Sequence, residues 1–469
     1  MMQPDVVAQS TAQQSPDLRL NAVYIWAISS IAALGGLLFG YDWVVIGGAK
    51  PFYEVYFHLT TARAVGWANS CALVGCLAGS MVAGGLSDRF GRKKLLATSA
   101  LLFALSSIFT GWAHLFATFV VWRMLGGVAI GLSSNVSPTY IAEISPAQWR
   151  GRLVSLNQLA LVTGILAAQL VNWRVAAHAG TEWAVHYGWR WMFTAVALPG
   201  AVLLFASMLI PESPRWLAAK GHQQRARTVL EHIGGDDYAQ QELTNINQSL
   251  RANTPLAIHW RELFIPGMRR VMVIGITLAV LQQWSGINVL FNYAEEVYRS
   301  AGYNVSGILF NIVITGAINL FFTIIAMGCV DRFGRRPLML LGCGGICASH
   351  LLAAAAYWKA LHGTAVLVIT LLAIACYAVS LAPVTWVVIT EIFPNRMRGL
   401  AVSVAVSALW AAAFLLTYTF PLILQALGIA GAFFLYALIC LSGGVFVLKY
   451  LPETKGRSLE EVEEAMSAT

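Results

Sequence analysis

Gly85-Leu-Ser-Asp88-Arg89-Phe-Gly91-Arg92-Lys93 is answered 243 residues later by Gly328-Cys-Val-Asp331-Arg332-Phe-Gly334-Arg335-Arg336. Two more pairs keep nearly the same offset. Glu143-Ile-Ser-Pro146, with Arg150-Gly151, returns as Glu391-Ile-Phe-Pro394, with Arg398-Gly399. Pro211-Glu212 returns as Pro452-Glu453. Three ordered matches at one spacing imply a duplicated unit with both copies facing the same way. Units repeated in this manner rock against each other and hold a substrate at their interface.

What surrounds the repeats decides the solvent. Of 469 residues, 58% are hydrophobic and 11% charged. Soluble domains carry about 25% charged residues, so this composition predicts an all-α polytopic membrane protein. Hydropathy gives twelve spans, six before and six after one long polar stretch. The first covers 22–48, the fourth 115–143 and the seventh 268–299; the last two cover 399–425 and 429–450. The expected organisation is a polar tail over 1–20, a six-helix bundle over 21–211, a helical linker over 212–266, a second six-helix bundle over 267–451 and a tail over 452–469. With the N-terminus inside, Lys50, Arg63, Arg174, Arg190, Arg299 and Lys359 fall outside and Arg123 within a span. The other Lys and Arg fall inside, which puts both termini and the linker in the cytoplasm. The net charge of +8 therefore reflects basic loops and does not indicate nucleic acid. None of the seven cysteines has metal-site spacing. No H-E-x-x-H or G-x-S-x-G grouping lies in the spans, so an enzyme is not expected.

Asp42 is the costly residue. It sits in Ile31–Gly48, among apolar residues and glycines. A carboxylate inside a span costs roughly 2.5–3.5 kcal/mol on insertion scales, which makes it a functional candidate. Arg123 lies about as far below the outer edge as Asp42, about 9 Å at 1.5 Å per residue. The two can pair. An arginine favours the charged carboxylate and desolvation disfavours it, so opening the outer cavity could load and release a proton. Gln158, Gln282, Gln283, Asn288 and Asn319 also lie within spans. Each amide is costly against lipid and each offers both a donor and an acceptor, as sugar hydroxyls require. Either sugar binding or helix-to-helix bonding would account for any one of them.

The chain resembles the sugar porter family of the major facilitator superfamily from about Gly35 to Glu460. The loops at Gly85–Lys93 and Gly328–Arg336 mark the superfamily. Pro211-Glu-Ser-Pro-Arg-Trp216, Gln282-Gln-x-x-Gly-Ile-Asn288 and Pro452-Glu-Thr-Lys-Gly456 mark the family. The resemblance implies that Gln282 and Gln283 contact sugar, that Trp386 stacks on it and that Trp410 is kept. It also implies that Asp42 separates proton symporters from facilitators, which carry Asn there. Departures fall at Ile165, Val196, Asn292, Leu409 and Ala413. The resemblance calls for no cofactor.

At the cytoplasmic ends Arg89, Arg92, Glu143, Arg150, Glu212 and Arg215 form one charged set. Arg332, Arg335, Arg336, Glu391, Arg398 and Glu453 form the other. They are expected to latch an inner gate. The function expected is proton-coupled symport of a monosaccharide such as xylose or glucose, by a monomer in a bacterial plasma membrane. A facilitative uniporter of the same fold is the alternative.

Overall fold

Hydrocarbon offers backbone groups no water, so an apolar chain must close its hydrogen bonds within helices. The computed structural model describes residues 20–177, 180–252, 265–361, 363–393 and 397–453, and its regular structure there is helical. Most of both expected tails, and residues 253–264 of the expected linker, lie outside the described residues.

Five long apolar helices open the chain: α1 (Ala22–Tyr56), α2 (Ala62–Phe90), α3 (Arg92–Gly111), α4 (Phe116–Ile144) and α5 (Arg150–Ala177). α6 (Ala184–Leu209) is the sixth. A short helix α7 (Pro214–Ala219) and the polar helix α8 (Gln223–Ala252) follow, the second broken at Gly234 and Gly235. The other half holds α9 (Pro266–Trp284), α10 (Ile287–Asn292), α11 (Ala294–Ser300), α12 (Val305–Phe333) and α13 (Arg335–Trp358). It ends with α14 (Thr364–Val379), α15 (Leu381–Glu391) and α16 (Arg398–Tyr450). Among the described residues, eleven helical segments are long and apolar enough to cross a membrane. The last of them, α16, has 53 residues and leaves helical geometry at Gly428, φ 65°. A span needs about 20 residues, so α16 is long enough for two passes. Its break falls between the eleventh and twelfth spans read from hydropathy.

Two apolar stretches are interrupted midway. Gly286, at φ 83°, separates α9 from α10, and a Cβ there would lie 2.8 Å from the Tyr436 ring and 2.9 Å from His350 Nε2. Ser380 (φ −123°, ψ −92°) separates α14 from α15. Broken helices expose carbonyls at membrane depth, and those carbonyls need donors from elsewhere.

Glycines let the helix backbones touch. A Cβ on Gly40 would lie 1.9 Å from the Leu161 carbonyl, and one on Gly164 2.0 Å from the Leu37 carbonyl. The α2–α4 pair repeats the device: Gly75 faces the Met124 carbonyl at 1.9 Å and Gly127 the Ala72 carbonyl at 1.8 Å. In lipid, close packing of this kind replaces hydrophobic burial as the force between helices. Gly127→Ala should therefore destabilise the protein by about 1–3 kcal/mol, the usual range for overpacking. Thermal melting in detergent would read it, and an unchanged midpoint would show that the backbones can part freely.

The halves meet where α2 runs along α16, where α5 runs along α12, and where α1 touches α10 and α11.

Candidate functional site

Asp42 and Arg123 meet as their depths suggested. Arg123 Nη1 donates to Asp42 Oδ1 at 2.8 Å, and Nη2 to the Asp42 carbonyl at 3.4 Å. The residues are 2% and 3% exposed. The pair is only half made. Among the described residues, Asp42 Oδ2 and Arg123 Nε have no hydrogen-bond partner. The guanidinium packs 5.2 Å from the Phe193 ring centroid. Beside the pair a small cavity is lined by Trp43, Asn69 and Arg123 from one half and Asn292 from the other. Asn292, a departure from the family pattern, thus sits at the charged pair, and its Oδ1 has no partner among the described residues.

The amides of α9 and α10 form a string. Gln282 Nε2 donates to the Leu381 and Ala382 carbonyls at 3.1 and 3.2 Å. Gln283 Nε2 donates to Gln282 Oε1 at 3.4 Å, and Asn288 Nδ2 donates to Gln283 Oε1. Gln282 therefore also ties α9 to the first turn of α15, just after the Ser380 break. His350 treats the other break in the same way: its Nε2–H donates to the Ser285 carbonyl at 2.8 Å. Trp410 is 1% exposed and lies 5.8 Å from the Phe39 ring and 5.7 Å from the Trp43 ring, across the boundary between halves. Asn319 is buried, whereas Gln158 and Trp386 are half-buried. Among the described residues, no hydrogen bond or ring contact joins these three to the string.

The charged sets at the other end follow the repeat residue by residue. Arg92 donates from Nε and Nη2 to Glu143, both at 2.9 Å. Arg335 donates from Nη2 and Nε to Glu391 at 2.9 and 3.3 Å. Glu212 accepts from the Arg92 and Lys93 amides at the start of α3. Glu453 does the same for Arg335 and Arg336 at the start of α13. A carboxylate on these amides satisfies orphan donors and meets the positive end of the helix dipole. Gly91 (φ 96°) and Gly334 (φ 88°) make room: a Cβ would come 2.2 Å from Glu212 or 2.7 Å from Glu453. Lys93 Nζ and Arg336 Nη2 reach matching carbonyls, those of Met208 and Leu448. Arg89, Arg150, Arg215 and Arg332 are exposed. The Arg398 side chain lies outside the described residues.

Sequence reading missed two features. Gln169 is 1% exposed, its amide atoms have no partner among the described residues, and its Oε1 is 1.8 Å from where a Gly316 Cβ would stand. It is an amide within an apolar run, the signal used for the others. The second is Lys50, expected beyond the first span. α1 runs on to Tyr56, and Lys50 is 3% exposed. Its Nζ lies 3.2 Å from Glu54, 3.6 Å from Glu295 Oε2 and in closer contact with Glu296. The charge that seemed to end the span is neutralised by carboxylates from the other half.

The family model described as sugar (and other) transporter matches residues 28–466. The D-xylose-proton symporter of Escherichia coli (strain K12) is 36% identical, over 94% of this chain and 96% of its own length. The arabinose-proton symporter of Bacillus subtilis (strain 168) is 37% identical, over 94% and 95%. Among solved structures, the inward-open conformation of the xylose transporter XylE from E. coli matches with a TM-score of 0.85 and 35% identity. That match covers 94% of this chain and 100% of the other.

Proposed function

The chain belongs to the sugar transporter family, and on that premise we propose that it moves a monosaccharide inward together with a proton, by alternating access. The substrate class is a pentose or hexose, such as the xylose and arabinose named for its relatives. The observation that carries the proton is the half-made Asp42–Arg123 pair. A buried carboxylate with one oxygen bonded and one free can take a proton and loosen its arginine, and can lose the proton when the pair tightens. The sugar is read by the amide string of Gln282, Gln283 and Asn288, with Trp410 and Trp386 as apolar platforms and Gln158 and Asn319 as further polar contacts. Sugar and proton thus occupy different groups, and coupling runs through movement of one half against the other.

In this reading residues 21–211 and 267–451 are the rocking halves, each crossing six times, and 212–266 is a cytoplasmic helical linker. Both termini are cytoplasmic, and the protein works as a monomer in the bacterial plasma membrane. The test is uptake into proteoliposomes. Sugar should accumulate when an inward-directed pH gradient is imposed, and a counterflow panel should identify the sugar. Uptake that ignores the pH gradient would leave a uniporter.

The inner charged sets serve as a gate. Arg92–Glu143 and Arg335–Glu391 hold the helix ends of each half in register, ready to meet the other half. Glu143→Gln should lower the transport rate about tenfold or more while sugar affinity stays within about threefold, because the latch shifts a conformational balance and leaves the amides alone. Loss of affinity equal to that of a Gln282 variant would defeat the gating role. Rate and affinity are read by counterflow and by calorimetry.

A further inference from the structure

The halves also join at the end opposite the inner charged sets, and there they join through ionised groups. α1 rises about 40 Å from Asn21 to Lys50. Asn21 N bonds the Ile233 carbonyl of α8, so that end is the linker end, and Lys50 is near the other. Lys50 belongs to the first half; Glu295 and Glu296, on α11, belong to the second. Glu54 comes from one turn further along α1. The ammonium is 3% exposed, Glu295 5%, and Glu54 and Glu296 20% each. Arg299 pairs with Glu295 from the outside, but it is 62% exposed and its charge is shared with water. The Tyr293 ring lies under the ammonium at 5.6 Å, and Tyr53 flanks Glu54 along α1.

The charges inside do not balance. One buried ammonium faces three carboxylates. Glu295 Oε2, at 3.6 Å from Nζ, is beyond hydrogen-bond reach, and neither it nor Glu296 Oε2 has a donor among the described residues. A buried carboxylate oxygen without a donor is costly, and like charges gathered in one dry site do not all stay ionised. A proton placed on one carboxyl oxygen removes one negative charge and supplies a missing donor. When the halves part at this end, water reaches all three glutamates and that need disappears.

We propose that Lys50, Glu54, Glu295 and Glu296 form a second proton-binding site, assembled only when the outer side closes. Closure of the outer gate then takes up a proton, and opening releases it. The sign follows from linkage. The closed state binds more protons than the open one, so lowering the pH favours closure. The site is separate from Asp42, and it rests on the reading of this end as the extracellular gate.

The test silences Asp42 and watches the outer gate. Full-length Asp42→Asn protein in nanodiscs is followed by hydrogen-exchange mass spectrometry at low and high pH, with rates corrected for intrinsic exchange. Peptides spanning 50–56 and 294–300 should be protected about tenfold more at low pH. Adding Glu295→Gln and Glu296→Gln should abolish that difference while inner-end peptides keep their protection. Lys50→Met should enlarge the difference, since the carboxylates then close only when protonated. Equal protection at both pH values in the Asp42→Asn protein would overturn the proposal. So would an unchanged difference in the glutamine variant, or one that Lys50→Met leaves as it was. The readout needs no sugar. A protein that transports nothing yet shows the pH step would defeat the symport reading and leave this site standing.

Discussion

Asp42→Asn should abolish accumulation of sugar against its gradient while leaving sugar binding within about threefold of the unaltered protein. Asparagine keeps the size of the side chain and an oxygen that can still accept from Arg123 Nη1, now 2.8 Å from Asp42 Oδ1. It removes the only property the proposal requires, the ability to gain and lose a proton at constant shape. Arg123 is then left as a buried cation without a counter-charge, and removing one partner of a buried pair costs about 3–5 kcal/mol. That cost is lowered here because the Asp42 carbonyl and the Phe193 ring remain beside the guanidinium. A lower melting temperature is therefore expected along with the transport defect. Uptake into vesicles with and without an imposed pH gradient is decisive. If the variant still concentrates sugar, the driving proton is carried elsewhere, and the Lys50 site becomes the first place to look.

Gln282→Ala should remove sugar binding and loosen the second half at the same time. A lost amide leaves sugar hydroxyls unpaired at about 1–3 kcal/mol, or roughly 10- to 100-fold in affinity. The same amide donates to the Leu381 and Ala382 carbonyls beside the Ser380 break. Truncation leaves both carbonyls without that donor in a dry interior, so a fall in thermal stability should accompany the loss of binding. Gln283→Ala separates the effects, because Gln283 bonds only to Gln282 and Asn288 among the contacts seen. It should weaken binding with a smaller loss of stability. Titration calorimetry and melting curves on the two variants give four numbers. Unchanged affinity in both would move the sugar away from the amide string.

The repeat, the spans and the Asp42–Arg123 pair were legible because each depends on local properties. Apolar length sets a span, 1.5 Å per residue sets depth within it, and a motif recurs as a string. The purpose of Gly91 and Gly334 in that motif was not legible. It emerges from Glu212 and Glu453, each more than a hundred residues away, folding back onto the amides of α3 and α13. The same limit explains Lys50. Hydropathy treats a lysine as the end of a span because it weighs the charge alone. Glu295 and Glu296 lie about 245 positions downstream and reach Lys50 only because the two halves pack there.

Gln282 shows the division most clearly. Its residue type and its place in an apolar run predicted a buried amide that needs partners, and the amide is buried and partnered. Which partners it has depends on where α14 breaks into α15 and how that break faces α9. Hydrophobic periodicity carries no information about either. Residue types and apolar run lengths dictate what must be inside the membrane and which polar groups are costly there. Which of those groups neutralise one another follows from the packing, because that balance is set by distances between helices, and no string of neighbours along the chain records them.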